Sequence, residues 1–278
     1  FNSCAKLENL TYSLSSGSKV NIYSFTDCPQ LKHVVFNVNK NSSIELSDSS
    51  FLNCKELTEV TFNHQELLGK DSLIINSNVF NGCIKLQKFI FPENCKKEIG
   101  ESCFEGCKNL TTVQLPTGMK TISKSMFKGC ELLSSVNLDN TVTLIDDSAF
   151  ENCPKLQLEV LPQNLVKIGD DAFKKCTSLN IHLLPEKLEE IGESAFEDCT
   201  GLNELFFPTC MKVINEKAFE SCTELTKITI YSPSITILKK AFYKCSKLKK
   251  IYTNNKTDIS SEAFKNCAKG LDFFSLNS

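Results

Sequence analysis

Twelve times along this chain a phenylalanine is followed three residues later by a cysteine: Phe1/Cys4, Phe25/Cys28, Phe51/Cys54, Phe80/Cys83, Phe104/Cys107, Phe127/Cys130, Phe150/Cys153, Phe173/Cys176, Phe196/Cys199, Phe219/Cys222, Phe242/Cys245 and Phe264/Cys267. Successive phenylalanines stand 24, 26, 29 and 24 residues apart, then 23 six times, then 22. That grid absorbs twelve of the twenty phenylalanines and twelve of the fifteen cysteines. A length of 278 residues ordinarily suggests one large or two ordinary domains. A period of this kind instead predicts a tandem array, a single solenoid domain over residues 1–278.

Other positions keep step. Five residues before each later phenylalanine stands an apolar residue, as in Ile122, Ile145, Ile168, Ile191, Ile214 and Ile237. Alanine often directly precedes the phenylalanine (Ala149, Ala172, Ala195, Ala218, Ala241, Ala263), and leucine follows the cysteine by three, from Leu7 to Leu248. The last unit departs, with Gly270 there and Leu271 one later. The leucine opens an alternating run such as Val113-Gln114-Leu115, whose period of two predicts a short strand, stopped by Pro116, Pro162, Pro185 or Pro208. A Ser or Asp before Ala-Phe offers an N-cap, and Phe and Cys three apart share one face of a helical turn. One unit therefore reads as strand, turn, a second extended piece and a single helical turn. Nothing so small buries its own apolar face, but stacked units do, each buried Phe contributing roughly 1.5–3 kcal/mol.

Leu202-Asn203-Glu204-Leu205-Phe206-Phe207-Pro208, then Val213-Ile214 and Ala218-Phe219-Glu220-Ser221-Cys222, resembles the BspA-like class of leucine-rich repeats. The resemblance implies an α/β repeat solenoid, a right-handed curved horseshoe of about twelve 23-residue repeats with short parallel strands and single helical turns. It also implies a surface or secreted protein of the kind found in mucosal bacteria and protozoa, often linked to adhesion. The longer third and fourth units depart from the pattern, and the insertion around His64–Ser72 is expected to bulge on a turn and disturb stacking.

Composition narrows the function. All 31 basic residues are lysine and the net charge is −2, which removes both the arginine fork and the electrostatic basis for nucleic-acid binding. No apolar window is long enough for a transmembrane helix, and the start at Phe1-Asn2-Ser3-Cys4 lacks the basic and apolar regions of a signal peptide. With three histidines (His33, His64, His182), no Cys-x-x-Cys pair and no phosphate loop or nucleophile elbow, neither a metal, a cofactor nor an enzyme activity is expected. The cysteines read as a column of free thiols acting as small hydrophobes, since parallel rungs point their Cβ atoms the same way. Four glycosylation sequons, at Asn9, Asn41, Asn109 and Asn255, are about what chance supplies in so Asn-, Ser- and Thr-rich a chain.

A partner is therefore expected on the strand face. Its central outward column reads Val35, Thr61, Ile90, Gln114, Asn137, Glu159, His182, Phe206, Thr229 and Tyr252. Glu159 and His182 face outward if their strands shift by one residue, with Leu161 and Leu184 absorbing the shift as a bulge, because burying them unpaired is costly. Gln114, Asn137, Glu159, His182, Phe206, Thr229 and Tyr252 are the candidate contact residues, a polar centre flanked by aromatic anchors. The expected ligand is a protein or glycoprotein met at a cell surface; the alternative is a cytoplasmic scaffold using the same face, which suits the free thiols. The uncapped repeat at Phe1 predicts excision from a longer protein or pairing of exposed ends with a second copy.

Overall fold

The computed structural model describes residues 3–70, 72–93, 95–254 and 257–276. Phe1, where an uncapped end is expected from the sequence, and the sequon residue Asn255 lie outside them. The chain forms two compact units, Phe1–Asp139 and Asn140–Ser278. Each is a parallel-strand solenoid in which successive rungs repeat the same strand, corner and return.

In the first unit, strands Asn9–Ser13, His33–Asn37 and Glu59–Asn63 form one sheet, and Lys88–Ile90, Thr112–Gln114 and Ser135–Val136 a second. Lys19–Ile22, Ser43–Leu46, Leu73–Ile75 and Cys95–Ile99 pair on the return side. In the second unit, Glu204–Phe207, Lys227–Ile230, Lys250–Thr253 and Asp272–Ser275 form the strand face. The return side there is a ladder of two-residue strands, Leu144–Ile145, Lys167–Ile168, Glu190–Ile191, Val213–Ile214, Thr236–Ile237 and Asp258–Ile259. Pairing is parallel and steps by one repeat, as in Ile145↔Ile168↔Ile191↔Ile214. Each of these isoleucines, five before a phenylalanine, therefore stacks on its own kind and is buried.

The phenylalanines form the spine. In the second unit Phe150, Phe173, Phe196, Phe219, Phe242 and Phe264 stack with centroids 5.0–5.3 Å apart and planes within 11°. In the first, Phe25, Phe51, Phe80, Phe104 and Phe127 stack more loosely, at 5.5–5.8 Å. The insertion does make a turn: His64 is left-handed (φ 58°) and Gln65–Leu67 form a 3-10 helix, the only helix among the described residues. It disturbs stacking on the strand face, where Phe62 and Phe89 meet edge-on at 84°, yet the Phe51–Phe80 pair stays parallel within 7°.

The expected helical turn is absent among the described residues, and with it the α/β reading. Ser148, Asp171 and Ser194 are not N-caps but left-handed residues at φ 53–54°. The residue before the cysteine of each Phe-x-x-Cys unit is left-handed as well, with Asn152, Lys175, Asp198 and Ser221 at 58–63°. Two left-handed residues per corner convert the segment into consecutive tight turns and aim alternate N–H groups at the next rung. Ser148, Phe150 and Asn152 thus donate to the carbonyls of Asp170, Ala172 and Lys174 at 2.7–2.8 Å. A helix would turn those donors along its own axis and leave the stack unbonded.

That geometry also gives the cysteine its job. In the second unit the thiols of Cys176, Cys199, Cys222, Cys245 and Cys267 donate to the carbonyls of Phe150, Phe173, Phe196, Phe219 and Phe242 at 3.0–3.2 Å. Cys54, Cys83, Cys107 and Cys130 do the same in the first unit, at 3.0–3.1 Å. The Phe173 carbonyl accepts the Cys176 amide and the Cys199 thiol, using both lone pairs. The residue is a small hydrophobe that also donates a weak hydrogen bond between rungs. Glycine has its own place after the return strand: a Cβ on Gly192 would sit 2.6 Å from the Asp170 nitrogen.

Candidate recognition face

Counting seven residues from each cysteine marks the outward column of the strand face. In the second unit it runs Val160, Leu183, Phe206, Thr229, Tyr252 and Phe274. The ladder pairs Leu183 with Phe206, Phe206 with Thr229, Thr229 with Tyr252 and Tyr252 with Phe274. Leu205, Phe207, Ile228, Ile230 and Ile251 point inward from the same strands and are buried.

Glu159 and His182 are exposed, with Leu158 and Ile181 turned inward before them and Leu161 and Leu184 buried beyond. The one-residue shift is therefore present, but it does not bring them into the column of Phe206. Two consecutive residues face outward at each bulge, and the second of them, Val160 or Leu183, holds the column position. His182 lies one residue back, its carbonyl accepting the Phe206 N–H at 3.0 Å. Val160 is 71% exposed and Leu183 60%. The centre of this stretch is therefore apolar rather than polar. A shallow hollow of about 410 Å³ opens there among Glu159, Val160, Leu183, Pro185, Glu186 and Lys187.

Thr229 occupies its column position but is only 5% exposed, set between the larger Phe206 and Tyr252. Lys227 caps both of those rings, a cation over two aromatic faces. Its Nζ lies 5.3 Å from the Phe206 centroid and 5.6 Å from that of Tyr252. The same ammonium pairs with Glu204 at 3.2 Å. Phe274, which the irregular last repeat conceals, stacks on Tyr252 at 4.8 Å and is 39% exposed. Its signal was the constant step of seven from Cys267.

Two candidates belong to the first unit. Gln114 ends the strand Thr112–Gln114 beside Ile90 and is exposed. Asn137 is committed elsewhere: its Oδ1 accepts the Leu115 N–H at 2.6 Å and its Nδ2 donates to the Leu115 carbonyl at 3.3 Å. The side chain replaces a peptide group where the strand Ser135–Val136 stops short.

The electrostatics beside the column are lopsided. Thr226, Lys227, Lys247, Lys249, Lys250 and Tyr252 border a groove of about 580 Å³ that Glu204 also lines. Lys247 pairs with Glu224 at 2.6 Å, but no carboxylate among the described residues comes within 4.0 Å of Lys249 or Lys250. Burial pushes the Cys54 and Cys176 thiols up to about 12 and that of Cys199 well above the ordinary thiol range. These sulfurs therefore remain protonated donors and not nucleophiles. Among the described residues no three His, Cys, Asp or Glu side chains gather in a way that could hold a metal ion. No helix among them is long and apolar enough to cross a membrane.

Parallel rungs, a leucine-anchored strand face and a corner of stacked phenylalanines define a leucine-rich-repeat solenoid. Residues 1–73, 68–179 and 155–271 match the family described as BspA type leucine rich repeat region. The chain belongs to that family. Among solved structures, a leucine-rich repeat protein of T. pallidum is 29% identical, with a TM-score of 0.54 over 58% of this chain and 78% of its own. One from Eubacterium ventriosum is 16% identical, with a TM-score of 0.50 over 90% and 82%. A leucine rich cell surface protein from Faecalibacterium prausnitzii is 23% identical over 98% and 88%, with a TM-score of 0.47. No curated protein matches.

Proposed function

We propose that residues 1–278 act as one non-catalytic binding domain that takes a protein or glycoprotein at a cell surface, in adhesion to a host or another cell. The contact surface is the strand face of the second unit: Leu183, Phe206, Tyr252 and Phe274, flanked by Glu159 and His182. Gln114 is a contact candidate of the first unit. The observation that carries the reading is the apolar and aromatic column held in register by Leu183↔Phe206 and Tyr252↔Phe274, with Leu183 and Phe274 exposed and Phe206 and Tyr252 half-buried. Apolar and aromatic side chains on a rigid frame, ringed by mixed charge, are what protein recognition uses. Surface placement is supported by family membership.

A cytoplasmic scaffold is the second reading, and the fifteen free cysteines favour it, because thiols persist in reducing compartments. Protease shaving of intact source cells separates the two. Peptides of this chain released without cytosolic markers support the surface reading; peptides seen only after lysis overturn it. Panels of matrix and host glycoproteins then test the face. Leu183→Ser with Phe206→Ala should weaken any bound partner at least tenfold while leaving the melting temperature within about 2 °C. Unchanged affinity would remove the face from the mechanism.

A further inference from the structure

The lysine groove beside the aromatic column carries a charge arrangement that the fold does not need. Lys227 and Lys250 lie directly opposite each other on neighbouring strands. Like charges so placed on a sheet are destabilising. Lys249 precedes Lys250 and Lys247 lies two residues further back, so four lysines line a groove in which Glu204 is the one carboxylate among the described residues. Neither flank neutralises Lys249 or Lys250: Glu204 is spent on Lys227 and Glu224 on Lys247. Asp272 is the register neighbour of Lys250, yet no ion pair joins them.

We propose that this groove binds an acidic peptide segment of a partner protein, one that alternates carboxylate and apolar side chains. This rests on the reading of the strand face as a protein-binding surface and names the chemistry of what it takes. The carboxylates would sit between Lys249, Lys250 and Lys227, relieving the repulsion with charge-assisted hydrogen bonds. The apolar side chains would cover the exposed Phe274 ring on the adjoining column, beside the half-buried Phe206 and Tyr252. Two features argue for a peptide and against a sulfated glycan. A sugar ring stacks on an open aromatic face, but Tyr252 has Phe274 stacked on it from one neighbouring strand and Lys227 over it from the other. A densely anionic chain would also meet Glu204 inside the groove, and it would leave the apolar column uncovered.

The test is fluorescence anisotropy on the full chain with three labelled probes: a peptide of alternating Glu and Leu, its Gln-for-Glu counterpart, and a heparin oligosaccharide. The Glu peptide should bind at least tenfold more tightly than the Gln peptide and weaken steeply between about 20 and 300 mM salt. Lys249→Glu with Lys250→Glu should abolish the preference. Both side chains are exposed and lack ion pairs, so thermal melts of the variant should match the parent. Lys155→Glu, the same change at the Lys247 position four repeats away, should leave binding intact. Equal binding of the Glu and Gln peptides, indifference to the lysine reversal, or tighter binding of heparin would each overturn the proposal. If the lysine reversal is silent while Leu183→Ser with Phe206→Ala still releases a glycoprotein partner, the acidic-peptide inference falls and the strand-face reading stands. If both variants are silent, both fall.

Discussion

The two units solve one stacking problem at different tolerances. Through most of Asn140–Ser278 the repeat is a constant 23 residues, the phenylalanine rings sit 5.0–5.3 Å apart, and the return strands shrink to two residues each. In Phe1–Asp139 the repeat wanders between 23 and 29 and the rings open to 5.5–5.8 Å. Its return strands from Lys19–Ile22 to Cys95–Ile99 run three to five residues. What the units share is the corner: buried Phe, left-handed residue, cysteine thiol bonded to the rung behind. Loop length can vary because closing a longer loop costs little extra, about 0.6 kcal/mol per doubling. The corner cannot vary, because every donor in it is aimed at a fixed acceptor.

The sharpest way to break this contrast is to remove a ring from each stack. Phe173→Ala and Phe51→Ala should each cost about 3–5 kcal/mol. Phe173 should fall at the upper end, because its neighbours are 5.3 Å away on both sides and leave no slack. Urea denaturation of the two variants decides it, and a larger loss at Phe51 would put the stability in the irregular region instead. A methyl group probes the same difference more gently. Gly192→Ala drives a Cβ to 2.5–2.6 Å from Asp170. That overpacking should cost roughly 1–3 kcal/mol. Gly69→Ala, in the insertion, meets nothing closer than 4.0 Å. Its stability should stay within about 0.5 kcal/mol of the parent. Equal losses in thermal melts would mean that the insertion is packed as tightly as the regular rungs. The smallest effect concerns the left-handed position before the cysteine, filled by Gly129 in one unit and Lys175 in the other. Lys175→Asn should gain roughly 0.5 kcal/mol and Gly129→Lys lose about 1 kcal/mol. If calorimetry moves the midpoints in the opposite sense, the corner conformation is not what limits those residues.

The stacked phenylalanines, the isoleucine ladder and the strand positions are all legible from spacing, because like residues at one period have only one way to meet. The corner is not. The spacing of Phe and Cys fits a helical turn, but Gly82, Gly106 and Gly129 before the cysteine already point to a left-handed residue. The outward column is legible in part. Glu159 and His182 can be placed outside by the cost of burying them. That Val160 and Leu183 hold the column itself depends on pairing with the neighbouring rung, which alternation within one strand does not encode. Thr229 escapes for the same reason, since its burial comes from Phe206 and Tyr252 on either side of it. Asn137 reads as an exposed amide and is one, but its two hydrogen bonds to the Leu115 peptide come from the short strand beside it, which alternation does not encode.

The thiol bonded to the rung behind it has one more consequence. A chain with a cysteine at nearly every turn is, when unfolded, exposed to a very large number of wrong cross-links. Folding withdraws twelve of the fifteen sulfurs into the interior, out of reach of oxidants. The same column then serves as a graduated indicator of breathing. An alkylating reagent reaches a buried sulfur only when its rung opens, and Cys4, Cys210 and Cys267 stand half-exposed as the starting marks of that scale. The order in which the remaining twelve become modified would trace where, along each unit, the ladder first comes apart.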